Sequence, residues 1–257
     1  MFVFGGWNGK DYYNDLYILN LEVMAWFRPE TSGPAPSPRY GHSSILIGNN
    51  LVVHGGFKLR EDQLKSCGLS QGGIVAASYL ADIRVLDTDT FIWSRLRISG
   101  EPPEARFGHS INISGSEILL FGGWTLNSGS KAATAFAEGS QQKDSCNYFM
   151  IWNTETMSWK QGRYIGNPPT QRYGHTSTAI GPHLLIFGGW EFSKAQNEII
   201  VLREYTAGSV AGGSQLKVKV SRNSLNDLAQ GQEDVQDQDA QSERSKRMGD
   251  HIKEYRE

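Results

Sequence analysis

Short apolar runs alternate with turn-forming residues along most of the chain. The stretch from Ser43 to Leu96 shows the pattern best. Ser43–Ile47 and Leu51–His54 are separated by Gly48-Asn49-Asn50. Asp82–Leu86 places Ile83 and Val85 on one face and Arg84 and Leu86 on the other. Phe91–Leu96 follows the polar turn Asp87-Thr88-Asp89-Thr90. Short runs with period-two alternation, bounded by Gly, Asn and Asp, predict β-strands joined by tight turns.

The pattern repeats. Each second run ends in a glycine pair followed by an aromatic: Gly5-Gly6-Trp7, Gly55-Gly56-Phe57, Gly122-Gly123-Trp124 and Gly188-Gly189-Trp190. A motif with Arg, an aromatic, Gly and His recurs at Arg39–His42, Arg106–His109 and Arg172–His175, and a tryptophan at Trp26, Trp93 and Trp159. All three series share an interval of 67 residues (55 to 122, 39 to 106, 26 to 93) and then one of 66 (122 to 188, 106 to 172, 93 to 159). The first glycine interval is only 50 (5 to 55). From glycine pair to tryptophan the spacing is 21 residues in the first unit, then 38 and 37. The unit is therefore about 50 residues, and two copies carry an insertion between their second and third strands.

Four short strands per unit, the glycine pairs, the spaced aromatics and the proline-led Arg-aromatic-Gly-His motif resemble the kelch-repeat family over Phe2 to about Glu204. The resemblance implies an all-β fold, a kelch-type β-propeller of four-stranded blades. It also implies a protein that presents loops and shallow surfaces to other proteins.

The repeated residues have structural reasons to be what they are. Glycine reaches positive φ without penalty and lets backbone approach closely. The fourth-strand tryptophans offer flat surfaces to pack between blades. The prolines before each arginine, at residues 34–38, 102–103 and 168–169, suit a stiff crossing between blades. Arg39, Arg106 and Arg172 are expected to bond loop carbonyls, and His42, His109 and His175 to pair with hydroxyls or backbone, since buried polar groups need partners. The competing reading is a metal-binding ring of histidines. It is disfavoured because repeats spread equivalent residues around a ring, whereas metal ligands converge.

The first unit starts in its second strand, and the last has three runs, Thr176–Ile180, Leu184–Phe187 and Glu198–Leu202, without a fourth carrying tryptophan. About three and a half blades are expected, a partial propeller with open ends. Closed rings usually need about 4–8 blades. A longer protein, self-association of two chains to complete the ring, or capping by the tail or a partner would each cover those ends.

Composition adds limits. A net charge of −2 gives no argument for nucleic acid, and no apolar run approaches a membrane span. The two cysteines, Cys67 and Cys146, lie in the insertions and out of register, so a reducing, cytoplasmic or nuclear setting is the default expectation. The insertions, 58–78 and 125–147, project from one face. The first holds an apolar stretch at Gly72–Ala77, and the second is rich in Ser, Ala, Gly and Lys. The propeller segment is assigned to residues 1–205 and a flexible polar tail to 206–257. That tail holds eight Lys/Arg and nine Asp/Glu. Leu216, Val218 and Val220 alternate as one short edge strand, and Met248, Ile252 and Tyr255 have helical spacing interrupted by Gly249.

The expected function is a non-catalytic protein-interaction scaffold or adaptor without cofactor. Its candidate contacts are Trp7, Phe57, Trp124 and Trp190 and the long loops, with blade packing as the competing role for those aromatics. Two alternatives stand beside it. One is the kelch part of a larger ubiquitin-ligase adaptor, phosphatase or small-GTPase effector. The other is a galactose-oxidase-like metalloenzyme, which needs tyrosine, cysteine and histidine together at the ring centre.

Overall fold

A computed structural model of the chain describes residues 1–59, 77–126, 149–165, 169–181, 183–205 and 217–222, with the single positions 246, 250 and 253. Cys67, Cys146, Gly72–Ala76, most of both insertions and most of 206–257, including Met248, Ile252 and Tyr255, lie outside the described residues. No helix among the described residues is long and apolar enough to cross a membrane.

The strands assemble into four antiparallel blades. Blade I holds β1 (Phe2–Trp7), β2 (Tyr12–Asn20) and β3 (Ala25–Phe27). Blade II holds β4 (Ser43–Ile47), β5 (Asn50–Leu59), β6 (Ala77–Asp87) and β7 (Trp93–Arg95). After a short β8 (Ser99–Gly100), blade III holds β9 (Arg106–Ser114), β10 (Glu117–Thr125), β11 (Phe149–Asn153) and β12 (Ser158–Gln161). Next come β13 (Arg163–Ile165), β14 (Thr176–Ile180), β15 (His183–Phe187), the small hairpin β16 (Trp190–Glu191) and β17 (Lys194–Ala195), β18 (Ile199–Tyr205) and β19 (Lys217–Arg222). Blade IV is β14-β15-β18-β19.

The last unit therefore has a fourth strand, one more than its sequence suggested. β19 contains the alternating Val218 and Val220, pairs antiparallel with β18, and lies past the boundary assigned at residue 205. It is not the sheet edge, because β13 pairs parallel to its outer side. β13 follows the last strand of blade III. β8 does the same one blade earlier, leaving blade II and pairing parallel with β12. Ser32 bridges parallel to Ile92 one blade earlier still. Each blade thus laces the outer edge of the next.

Period-two alternation divides every strand between two interfaces. Leu51, Val53, Leu86 and Trp93 pack on Phe4, Leu16 and Ile18 of blade I. Val52 and Val85, on the opposite face, pack with Ile118, Leu120, Trp152 and Trp159 of blade III. Leu119, Phe121, Phe149 and Ile151 then meet Leu184, Ile186, Ile200 and Leu202 of blade IV. Among the described residues the apolar interior is three slabs between neighbouring blades.

The turns between third and fourth strands repeat too. Asn20, Asp87 and Asn153 each accept backbone N–H bonds from residues two and three further on. Met24, Phe91 and Met157 follow with positive φ. The short side chain closes the turn and sets the angle at which the tryptophan strand returns.

Trp93 is 1% exposed and Trp159 7%, each against the preceding blade, while Trp26 of blade I is 54% exposed. Trp159→Ala should therefore cost about 3–5 kcal/mol, as large buried aromatics do. Trp26→Ala should stay within about 0.5 kcal/mol, as surface changes do. Urea unfolding of the two variants beside the parent measures the difference; equal losses would mean the slabs do not carry the fold.

Candidate functional site

The repeated motifs meet at the blade junctions. The histidine of each Arg-aromatic-Gly-His motif lies between two glycine pairs. A Cβ built on the second glycine of its own blade would sit 3.0 Å from His42 Cβ at Gly56, and 2.9 Å from His109 and His175 at Gly123 and Gly189. A Cβ on the first glycine of the preceding blade would sit 3.4 Å from His42 Cε1 at Gly5, 2.8 Å from His109 Cε1 at Gly55 and 2.7 Å from His175 Cε1 at Gly122. These glycines have φ between +58° and +101°. Positive φ strains any side chain placed there, and a Cβ would crowd a neighbouring atom at each position.

The residue before each glycine pair completes the junction. Phe4 meets the His42 ring edge-on at 5.4 Å, His54 meets His109 at 4.9 Å, and Phe121 meets His175 at 5.2 Å. His54 Nδ1 and His109 Nε2 share a 2.9 Å hydrogen bond, so His109 pairs with another imidazole and not with a hydroxyl or backbone. His175 Nε2 bonds the Ser110 hydroxyl at 2.9 Å. The Nδ1 atoms of His42, His109 and His175 are buried without a hydrogen-bond partner among the described residues. A proton there would be a buried, unpaired charge. Burial, then the Arg39 guanidinium, holds His42 down at about 4; burial, then Arg172, does the same to His175. Burial and Arg106 take His54 to about 3, and burial and His54 push His109 well below its ordinary value. The histidines sit at separate junctions, and among the described residues no group of three His, Cys, Asp or Glu could hold a metal ion.

The arginines are buried and bind within their own blades. Their Nε atoms donate to Ser37, Glu104 and Thr170 carbonyls, and Nη1 donates to Gly55, Gly122 and Gly188 carbonyls. Arg39 and Arg172 also bind carboxylates that sequence reasoning did not single out. Arg39 grips Asp82 through two bonds of 2.7 and 3.1 Å, and Arg172 reaches Glu198 at 2.6 Å. Strand pairing puts Asp82 and Glu198 at equivalent positions, each one residue before the partner of the residue preceding the glycine pair. Gly33 and Gly100 were also missed. A Cβ there would lie 2.2 Å from the Trp93 carbonyl oxygen and 2.4 Å from that of Trp159. Their spacing of 67 residues is the repeat interval.

The third-position glycines of the motif form a ladder across the blades. Gly108 N–H donates to Gly41 C=O at 2.7 Å, and Gly174 N–H to Gly108 C=O at 2.8 Å. This holds the motif aromatics Tyr40, Phe107 and Tyr173 side by side. The aromatics after the glycine pairs stand opposite them, Phe57 across from Tyr40, Trp124 from Phe107 and Trp190 from Tyr173. The result is one ribbon of rings. Trp7, Tyr12, Tyr40, Phe57, Tyr79 and Phe107 are linked by centroid distances of 5.3 to 6.3 Å. Phe107 leads on to Tyr173 at 5.7 Å, Tyr173 to Trp124 at 5.4 Å, and Trp124 to Phe192 at 5.7 Å. Trp7 is 52% exposed and Trp190 47%, whereas Phe57 and Trp124 are half-buried under their neighbours. The ribbon lies at the bases of both long insertions, since β5 and β10 run from these aromatics into them.

The sequence matches the KLHDC2/KLHL20/DRC7 Kelch-repeats domain over residues 1–68 and 72–208. The chain belongs to the kelch-repeat family. Its kelch relatives include Tip elongation aberrant protein 1 of Schizosaccharomyces pombe, 31% identical over 77% of this chain and 15% of that one. Kelch domain-containing protein 3 of Bos taurus is 31% identical over 74% of this chain and 45% of its own. Host cell factor 1 of Homo sapiens is 31% identical over 75% and 9%. The chain thus spans less than half the length of these relatives. The solved structure of YjhT superposes with a TM-score of 0.54 at 16% identity, over 81% of this chain and 58% of that one, and shares the fold.

Two measurements test the kelch junction. Gly122→Ala puts Cβ 2.5 Å from the Arg172 carbonyl oxygen, whereas at Gly188, past the last junction, the nearest atom is Gln196 O at 3.3 Å. Both variants carry the left-handed penalty of about 1–2 kcal/mol. Gly122→Ala should lose about 1–3 kcal/mol more from overpacking, read as the difference in urea midpoints. The second concerns pH. The junction histidines titrate lower folded than their ordinary value of 6.5, so the unfolded chain binds more protons as pH falls. Stability should be full above pH 6.5 and decline from there towards pH 4, by up to about 1.4 kcal/mol per pH unit for each histidine. Urea midpoints between pH 7 and 5 should fall on acidification, less steeply for His175→Gln.

Proposed function

We propose that this chain is a non-catalytic protein-interaction module that docks its partner on the aromatic ribbon. One observation carries this. Rings from all four blades form a continuous strip running from Trp7 to Phe192, flanked by the roots of both long loops; Trp7, and Trp190 paired opposite Tyr173, remain about half exposed. Large rigid rings supply contact area at low entropic cost, and Trp and Tyr dominate the energetic centres of protein interfaces. Ring–ring packing within the strip fixes those surfaces before a partner arrives, which reduces the ordering cost of binding. Membership in a family whose relatives include host cell factor 1 agrees with this reading.

Panning a random peptide library on the purified chain tests it. Selected peptides should bind Trp7→Ala and Trp190→Ala chains at least about tenfold more weakly, the range of an interface hot spot. They should bind Trp26→Ala, altered on the end face of blade I, unchanged. Peptides indifferent to both ribbon tryptophans would place the interaction surface elsewhere.

A further inference from the structure

The connection that enters blade II places a serine against a cluster of arginines. Residues 33–39 run between β3 and β4 outside any strand. Pro34, Pro36 and Pro38 supply no N–H there, and a segment with few backbone bonds opens locally at low cost. Ser37 is half-buried within it and is followed by Pro38, the one Ser-Pro or Thr-Pro pair in the chain. Its hydroxyl accepts a 3.2 Å bond from Arg39 Nη2. The same Nη2 donates to Asp82 Oδ2, which also accepts from Arg84 Nε at 3.0 Å. Arg84 Nη1 returns to the connection, donating to the Pro34 carbonyl at 3.0 Å. Two guanidiniums thus close on one carboxylate. Arg84 also stands directly across the strand pair from Arg95, and like charges so placed repel. The other blades show what the position of Ser37 tolerates. Ser37, Glu104 and Thr170 are equivalent, each two residues before the motif arginine and each accepting its Nε bond on the carbonyl. Blade III therefore already places a carboxyl side chain there. In blade IV Arg172 meets Thr170 and Glu198 as Arg39 meets Ser37 and Asp82. There Gln171 follows the threonine, and strand pairing puts Ile200 where Arg84 stands in blade II.

We propose that Ser37 is a phosphorylation site for a proline-directed serine kinase, and that Arg39 and Arg84 bind the phosphate once it is made. The kinase moves the γ-phosphoryl group of ATP to Ser37 Oγ; the hydroxyl proton leaves and ADP departs. Phosphoserine adds about −1.5 to −2 charge and three acceptor oxygens, a group that guanidinium forks bind well. Arg39 Nη2 already lies against Ser37 Oγ, and Arg84, tied to the same connection through Pro34, is the second donor. The added charge offsets the excess of arginine over carboxylate, and the new bonds pin the crossing between blades I and II.

The test treats the whole folded chain with a proline-directed kinase and magnesium ATP. A mass gain of one phosphoryl group is expected, mapped by fragmentation to Ser37 and absent from Ser37→Ala. A folded chain that stays unmodified while a peptide of residues 31–43 is phosphorylated would overturn the proposal. Phosphorus NMR then reads the surroundings of the phosphate. Its second ionisation, near pH 6 in solvent, should fall by about one pH unit in the folded chain, the effect of opposite charges within hydrogen-bond reach. It should return towards 6 in urea. Arg84→Gln should reverse part of the shift, and Trp26→Ala should leave it unchanged. The same midpoint in the folded and the unfolded chain would show a phosphate in free solvent and would overturn its capture by the arginines.

Discussion

The structure depends on one close approach, a histidine ring wedged between the glycine pairs of two successive blades. Everything else at the junction follows from it. The glycines must lack a Cβ, because His175 Cε1 would lie 2.7 Å from one on Gly122. The imidazole must stay neutral, because its Nδ1 is buried without a partner and a guanidinium lies near. The arginine three residues earlier is buried too, and its main-chain carbonyl crosses to the preceding blade: Gly6 N–H donates to Arg39 C=O at 2.9 Å, and Gly123 N–H to Arg172 C=O at 2.8 Å. One steric constraint, repeated at each junction, thus accounts for three residue types in one motif.

The same constraint explains why identical residue types behave differently along the chain. In a stacked repeat each unit contacts only its neighbours, so a residue's burial depends on whether a blade lies on its side of the sheet. Trp93 and Trp159 are buried by the blade before them, and Trp26 is not. Phe121 is covered by His175 of the next blade, while its equivalent Phe187 is 53% exposed. The exposed apolar residues of the end blades lie on faces that no neighbouring blade covers among the described residues, and differ in kind from the exposed tryptophans of the ribbon.

Much of this was legible in the sequence because it was periodic. The glycine pairs, motif histidines and fourth-strand tryptophans announce themselves by spacing, and period-two alternation assigns Val85 and Leu86 to opposite slabs. What escaped is either degenerate in residue type or masked by variable spacing. The carboxylates that bind Arg39 and Arg172 are Asp in one blade and Glu in another. They also stand at different distances from the glycine pair, 27 residues from Gly55 to Asp82 and 10 from Gly188 to Glu198, because only the first interval carries an insertion. Gly33 and Gly100 kept the interval but read as parts of proline-rich connections, and only their approach to tryptophan carbonyls shows their role. The strand 217–222 has no tryptophan marker and follows a glycine-rich stretch, so its place in blade IV came from pairing with β18 and β13 and not from any motif.

The aromatic ribbon and the architecture share residues in this molecule. Tyr40 lies just before the first strand of blade II, yet its ring touches Trp7 of blade I and Phe107 of blade III. Its position is set by the Gly41–Gly108 hydrogen bond, one step from the histidine wedge. A ligand lying along the ribbon therefore contacts a surface whose flatness depends on every junction beneath it. Loosening one junction tilts the rings on either side, so affinity for such a ligand is coupled to blade packing through contacts already in place. The coupling is reciprocal. A ligand that binds only the assembled ribbon stabilises the junctions by mass action, roughly 2.7 kcal/mol at a hundredfold excess over Kd.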